Sequence, residues 1–397
     1  MLGRLLRALA SNVLVPLAIA VALLLLLEGG FRLAGRLASG AWPVTAQEKD
    51  TEFVRRLGQA YRRHPFLSVA ARPGAVIRIP GHVARFNSLG LRGPEVEMPK
   101  PPGRFRVVCE GGSTTFDLLA ADDAAAWPAL LGALLGPGAD VVNGGFPGWT
   151  SVQSLVALEL RDVDLSPDLV VVFSGINDLQ PAGHVPFVRD YSVGHGEILP
   201  RVLGADPPAL PLVARSVFVE WLRVRLGRKK AGVDERGYAP AWEWKGGARR
   251  PRMPEEAVAV FARNLRSTAA VARAFGARTL LVAQTARVRA GHESFDRTFL
   301  ESWTPGLDAD GYLDGVARYN AAARALAAEG VALFVDPFAD GAFTDADFED
   351  PVHFSAAGSR RFAARLALQI DALRRGDHAP DAANIAPVAP RADRKND

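Results

Sequence analysis

Residues 105–116 read Phe-Arg-Val-Val-Cys-Glu-Gly-Gly-Ser-Thr-Thr-Phe, and this stretch decides the fold. Arg106–Glu110 is apolar on successive rather than alternate residues, as suits a strand covered on both faces of a parallel sheet. It runs into Gly111 and Gly112, a pair that permits a tight turn and exposes the Ser113 hydroxyl at the amino end of the next helix. The turn lacks the lysine of a phosphate-binding GxxxxGK[ST] loop. It also departs from the GxSxG elbow, because Thr115 stands where the last glycine would be.

Working outward, the same kind of strand recurs at Asp140–Asn143, Asp168–Ser174, Thr279–Gln284 and Val331–Asp336. Pro254–Phe275, Asp310–Glu329 and Ser355–Arg375 carry apolar residues at three- and four-residue intervals and read as helices. This alternation predicts a doubly wound α/β sheet, whose sites lie at the carboxyl ends of its strands. The pattern breaks between Gln180 and Arg250. That insertion, placed at about 181–250, contains the basic Trp221–Lys230 segment WLRVRLGRKK. It is read as the solvated face of a cap helix, with contact to anionic lipid or glycan as the alternative. Its place after a site loop suggests a lid or substrate wall.

Three more post-strand loops carry chemistry. Asn143–Ser151 has three glycines and a proline ahead of a helix, a stiff loop whose backbone N–H groups can point outward. Ser174-Gly175-Ile176-Asn177-Asp178 offers the Asn177 carboxamide as a donor for an oxyanion. In Asp350-Pro351-Val352-His353, the aspartate three residues ahead can reach the histidine Nδ1, fix its tautomer and leave Nε2 as a base. Ser355 suits the cap of the helix that follows.

Taken in order, GGSTT, the Asn143–Ser151 loop, GIND and DPVH resemble the four signature blocks of the SGNH, or GDSL-type, serine hydrolases. The resemblance covers roughly Arg106 to Leu373. Asn87–Gly93 (NSLGLRG) is similar to a segment preceding this domain in membrane-anchored bacterial members. The resemblance implies a three-layer αβα, flavodoxin-like fold with a mostly parallel five-stranded sheet. It implies Ser113 as nucleophile, His353 as general base and Asp350 as its orienting carboxylate. The implied oxyanion hole is the backbone N–H of Ser113, the backbone N–H of Gly148 and the side-chain amide of Asn177. Gly112 replaces the aspartate of the GDS triplet, and Asp117 stands where a glycine is common.

Composition narrows the classes. The 397 residues hold 47 basic and 43 acidic side chains, a net of +4, too small a charge on so long a chain to argue for nucleic acid. The only cysteine, Cys109, excludes an internal disulfide and a zinc cluster. His64, His82, His184, His195, His292 and His378 show no ligand spacing, and the acidic run Asp345, Asp347, Glu349, Asp350 reads as a solvated loop. No metal or organic cofactor is expected.

Val13–Leu27 is free of charge, and extended to residues 11–31 it suits one transmembrane helix, with Pro16 near its start. A cleavable signal is the competitor, with small residues at Ala38–Ala41. These lie well past the apolar run, and Arg32 and Arg36 intervene, so an uncleaved anchor is expected. Arg4, Arg7 and the amino terminus ahead of the span, against Arg32 and Arg36 after it, give a slight bias to a cytoplasmic amino terminus. The expected organisation is a cytoplasmic segment 1–10, an anchor 11–31, a connector 32–104, a hydrolase domain 105–376 and a disordered tail 377–397. The expected function is a membrane-anchored serine esterase, periplasmic or extracellular, acting on an acyl ester of an envelope glycan or lipid. An O-acyltransferase and a non-catalytic glycan-binding or assembly protein are the alternatives.

Overall fold

The computed structural model describes residues 10–45, 58–79, 81–192, 211–226 and 247–375. The expected segment 1–10 (all but its last residue), much of the insertion and the tail 377–397 lie outside them. The chain forms two compact units, Met1–Leu57 with Ala205–Ala239, and Gly58–Gly204 with Pro240–Asp397.

The larger unit opens with two antiparallel hairpins, β1 (Tyr61–His64) with β2 (Ser68–Ala71) and β3 (Val76–Ile79) with β4 (His82–Arg85). The main sheet follows: β5 (Phe105–Gly111), β6 (Ala139–Asn143), β7 (Leu169–Phe173), β8 (Arg278–Val282) and β9 (Leu333–Val335). Its order is β6-β5-β7-β8-β9 and every pairing is parallel.

Neighbouring residues on the strands face opposite layers, which is why both kinds of position are apolar. Val107, Cys109, Val171 and Phe173 pack against Trp127, Leu131, Phe362 and Leu366, from helices Trp127–Leu135 and Ala356–Arg375. Val170 and Val172 pack against Phe261, Leu265, Tyr312 and Leu326, from helices Glu255–Ala274 and Ala309–Ala328. The three-layer α/β fold is thus the expected one, and each long helix ends within about a residue of its sequence bounds.

Two readings change. The stretch up to residue 104, read as a connector, is folded with the sheet from Gly58 onward. Three of its four-residue strands carry Arg62, Arg63, Arg78 and Arg85, and the other, Ser68–Ala71, has only three consecutive apolar residues. The acidic run is not solvated throughout: Asp347 is buried and accepts from the Thr344 backbone N–H (2.8 Å) and Arg361 Nε (3.1 Å).

In the smaller unit, Asn12–Ser39 is 28 residues long, and its most apolar stretch has a mean hydropathy of 2.4 and is nowhere buried, so the helix is long and apolar enough to cross a bilayer. The helix Val217–Arg225, from the insertion, packs on its carboxyl-terminal half. Of the basic segment read as a solvated cap face, Trp221–Leu226 are described. The Trp221 ring lies 5.1 Å from that of Phe31 on the apolar helix.

Candidate active site

The carboxyl end of β5 sets the centre. Gly111 has φ +154°, and a Cβ there would fall 2.1 Å from Thr115 Oγ1 and 2.3 Å from the Phe173 carbonyl, so only glycine lets β5 turn this closely beside β7. The turn launches the short helix Ser113–Phe116. Thr115 Oγ1 donates to the Phe173 carbonyl at 2.9 Å, and Trp127 Nε1 donates to the Thr114 carbonyl at 2.9 Å. The serine therefore stands on a turn tied to a neighbouring strand and a packed helix.

Ser113 Oγ lies 2.8 Å from His353 Nε2, although 240 residues separate them. His353 Nδ1 lies 2.8 Å from Asp350 Oδ2, whose other oxygen accepts from the backbone N–H of Val352 (3.0 Å) and His353 (2.8 Å). Asp350 is buried, which alone would raise its pKa, but the His353 charge and these hydrogen bonds hold it below the ordinary value and keep it ionised. Burial pulls the His353 pKa down, while the Asp350 charge and hydrogen bond, then Asp117, bring it above the ordinary value. Such a chain can move a proton from the serine to the imidazole and stabilise the resulting imidazolium.

Gly148 and Asn177 reach the same corner by different routes. Gly148 takes φ +84° in the loop after β6, and the helix it precedes is closed by a capping box between Thr150 and Gln153. Asn177 Nδ2 donates to the Trp149 carbonyl at 2.8 Å, leaving its second hydrogen for another acceptor. A Cβ on residue 112 would sit 2.2 Å from Asn177 Nδ2. In this chain the missing side chain at Gly112 leaves room for the Asn177 amide against the serine turn.

Several residues that support this site were not singled out from the sequence. Asp178 accepts from the Ser151 backbone N–H (3.0 Å) and from Ser151 Oγ, which in turn accepts from Asn264 Nδ2 (2.9 Å). It thereby ties the loop of Asn177 to the loop of Gly148. Burial outweighs these bonds and pushes the Asp178 carboxyl up to about 7. Arg92 donates to the carbonyls of Phe116 (2.7 Å) and Asp117 (2.8 Å), the carboxyl end of the serine helix. Its signal in the sequence was the Asn87–Gly93 segment. Asn264 left none, being one polar residue on a long amphipathic helix.

The sequence profile of the GDSL-like lipase/acylhydrolase family matches residues 109–361, spanning Ser113 to His353. The chain belongs to that family. This acylhydrolase is an ester-hydrolysing enzyme by that membership. It is similar to solved structures of a carbohydrate acetylesterase from Sinorhizobium meliloti (14% identity, 68% of this chain and 100% of the other, TM-score 0.39) and an acetylxylan esterase from Geobacillus stearothermophilus (15%, 69% and 95%, 0.39). A GDSL-like lipase from Bacteroides thetaiotaomicron is similar to the same degree (15%, 68% and 88%, 0.37). At this degree of likeness nothing about substrate passes to this acylhydrolase. No curated protein matches it. Among the described residues, no group of three or more His, Cys, Asp or Glu side chains could hold a metal ion.

The electrostatics give a pH prediction. Only neutral His353 can accept the Ser113 proton, so kcat/KM falls as pH drops through the histidine pKa. That pKa is raised, so the acidic limb should have its midpoint above the ordinary histidine value of 6.5. Asp117, pushed up to about 6 by burial, is ionised above that pH and adds to the rise. Asp117→Asn can still accept from the Trp127 N–H and Ser359 Oγ, both now at 2.7 Å, but carries no charge. The pH–rate profile of this variant should keep its shape while its acidic limb moves to lower pH. An unmoved limb would remove Asp117 from the account.

Proposed function

We propose that this acylhydrolase is a membrane-anchored serine esterase that removes an acyl group, O-acetyl included, from an envelope glycan or lipid. The observation that carries the reading is the hydrogen-bonded series Ser113–His353–Asp350 at the end of β5. Ser113 Oγ attacks the ester carbonyl as its proton passes to His353 Nε2, and Asp350 balances the imidazolium. The developing oxyanion is met by the backbone N–H of Ser113, the backbone N–H of Gly148 and Asn177 Nδ2. His353 then gives its proton to the departing alcohol, leaving an acyl-Ser113. Water, deprotonated by the same histidine, attacks the acyl carbonyl, and His353 returns that proton to Ser113 Oγ as the acid leaves. No step calls for a cofactor.

The anchor reading is supported by the apolar helix Asn12–Ser39, and the outward placement of the catalytic unit follows the slight charge bias read from the sequence. An exported esterase meets acylated envelope glycans and lipids as its nearest esters.

The full chain in detergent should hydrolyse p-nitrophenyl acetate and label with a fluorophosphonate at Ser113. A folded protein that does neither would refute the esterase reading. Turnover that rises with an added sugar, giving acylated sugar as product, would instead assign the chain to acyl transfer. A reporter fused after Asp397 and active only in the cytoplasm would overturn the orientation.

A further inference from the structure

The helix Val217–Arg225 is too short to hold by backbone propensity, since isolated helices under about 12–15 residues are marginal in water. None of its residues is buried. Apolar side chains in and beside it stay open, Trp221 at 47% exposed within it and Leu212 (85%) and Leu226 (58%) at its flanks. An arrangement this apolar and this uncovered is poorly suited to water.

What fixes it is Glu28 on the apolar helix. Glu28 Oε2 accepts from Ser216 Oγ (2.7 Å) and the Phe218 N–H (3.0 Å), and Oε1 from the Val217 N–H (3.1 Å) and Arg32 Nε (2.6 Å). Ser216 Oγ meanwhile accepts from the Val219 N–H at 3.1 Å. Three N–H groups of the first turn, which a helix end in water leaves to solvent, are therefore satisfied by side chains. The charge of Glu28 is matched by Arg32. Full internal satisfaction of this kind is what a water-poor environment demands. The rings of Phe31, Phe218 and Trp221 close the contact, Phe31 lying 5.4 Å and 5.1 Å from the other two.

The depth follows from the chain. Val13 to Leu27 is uncharged, and at 1.5 Å per residue it covers about 22 Å of a hydrocarbon core about 30 Å thick. Glu28, the next residue, thus lies near the membrane boundary, and the helix it holds lies there too. Aromatic rings with arginines that reach outward, here Trp221 with Arg223 and Arg225, suit that layer.

We propose that residues 212–226 form a second membrane-contacting element, a short helix lying in the headgroup layer of the bilayer and pinned to the spanning helix by Glu28. The occupant of its open apolar face is lipid, and its arginines favour anionic headgroups. The insertion thereby ties the chain to the membrane at a second place. This rests on the anchor reading above.

Fluorescence depth measurement on the full chain tests it. Val224→Cys and, separately, Ile19→Cys are labelled with an environment-sensitive fluorophore; the native Cys109 is fully buried and leaves little background. Each protein is placed in vesicles of phosphatidylcholine and phosphatidylglycerol carrying a doxyl quencher either near the headgroup or at mid-bilayer. The label at 224 should be quenched by the shallow doxyl and spared by aqueous iodide, and that at 19 by the deep doxyl. Glu28→Ala should expose the label at 224 to iodide while leaving that at 19 unchanged. Iodide quenching at 224 with lipid quenching at 19 would overturn the interfacial helix and spare the anchor. Iodide quenching at both would overturn the two together. A label at 224 reached by neither quencher would mean that protein, not lipid, covers the face, which also overturns the proposal.

Discussion

Ser113→Ala should lower kcat for ester hydrolysis by about 10⁶-fold and abolish fluorophosphonate labelling, with little change in stability. The size follows from losing the acyl-enzyme route altogether: without Oγ, His353 has no proton to accept and no covalent intermediate forms. The alanine leaves the turn intact, because the turn is held by Gly111, Thr115 and Trp127 rather than by the serine hydroxyl. His353→Ala should cost nearly as much, and the double variant hardly more than either single one. Residues acting in one proton relay are non-additive, since removing one disables the others. Additive losses in single-turnover measurements would show that the two side chains act apart. Residual hydrolysis at wild-type rate in Ser113→Ala would place the nucleophile elsewhere.

Gly112→Ala should cost about as much activity as losing the Asn177 amide itself. Residue 112, with φ −88°, lies outside the left-handed region that only glycine favours. The new Cβ would instead fall 2.2 Å from Asn177 Nδ2 and 3.1 Å from the Trp149 carbonyl, and the amide would have to leave its place. Losing one oxyanion donor costs about 2.7–4 kcal/mol, or about 10²–10³ in kcat. Gly112→Ala and Asn177→Ala should therefore show the same fall in kcat with little change in KM, and the double variant should be no worse than either. Measured kcat values that fall by the product of the two single effects would separate Gly112 from the oxyanion donor. Normal activity in Asn177→Ala would remove that side chain from the hole.

The sheet was legible because its strands are covered on both faces. Runs such as Val107–Cys109 and Leu169–Phe173 must be apolar at every position, a signal that needs no partner to be read. The long helices were legible for the related reason that one face only is buried, as on Glu255–Ala274. The hairpins of β1 to β4 were not. A four-residue strand such as Tyr61–His64 buries its first residue and exposes its arginines, and so reads as loop. Asp347 was misread because its spacing among other acids said nothing of Arg361 or of the Thr344 N–H that bury it.

The helix Val217–Arg225 shows the same limit from the other side. Its sequence, apolar with arginines, is compatible with a solvated cap or a membrane surface, and the choice turns on Glu28, 188 residues from Ser216.

The sequence by itself determined the α/β class, the order of the site loops and the residue types they carry. Each of these is written locally, in burial period and turn chemistry. The tertiary structure alone decided that Gly112 clears the space for Asn177, that Asp178 joins two loops through Ser151 and Asn264, and that Arg92 closes the serine helix. These depend on close packing between segments far apart in the chain. There a fraction of an ångström or one buried hydrogen bond selects the partner, and local patterns carry no record of that selection.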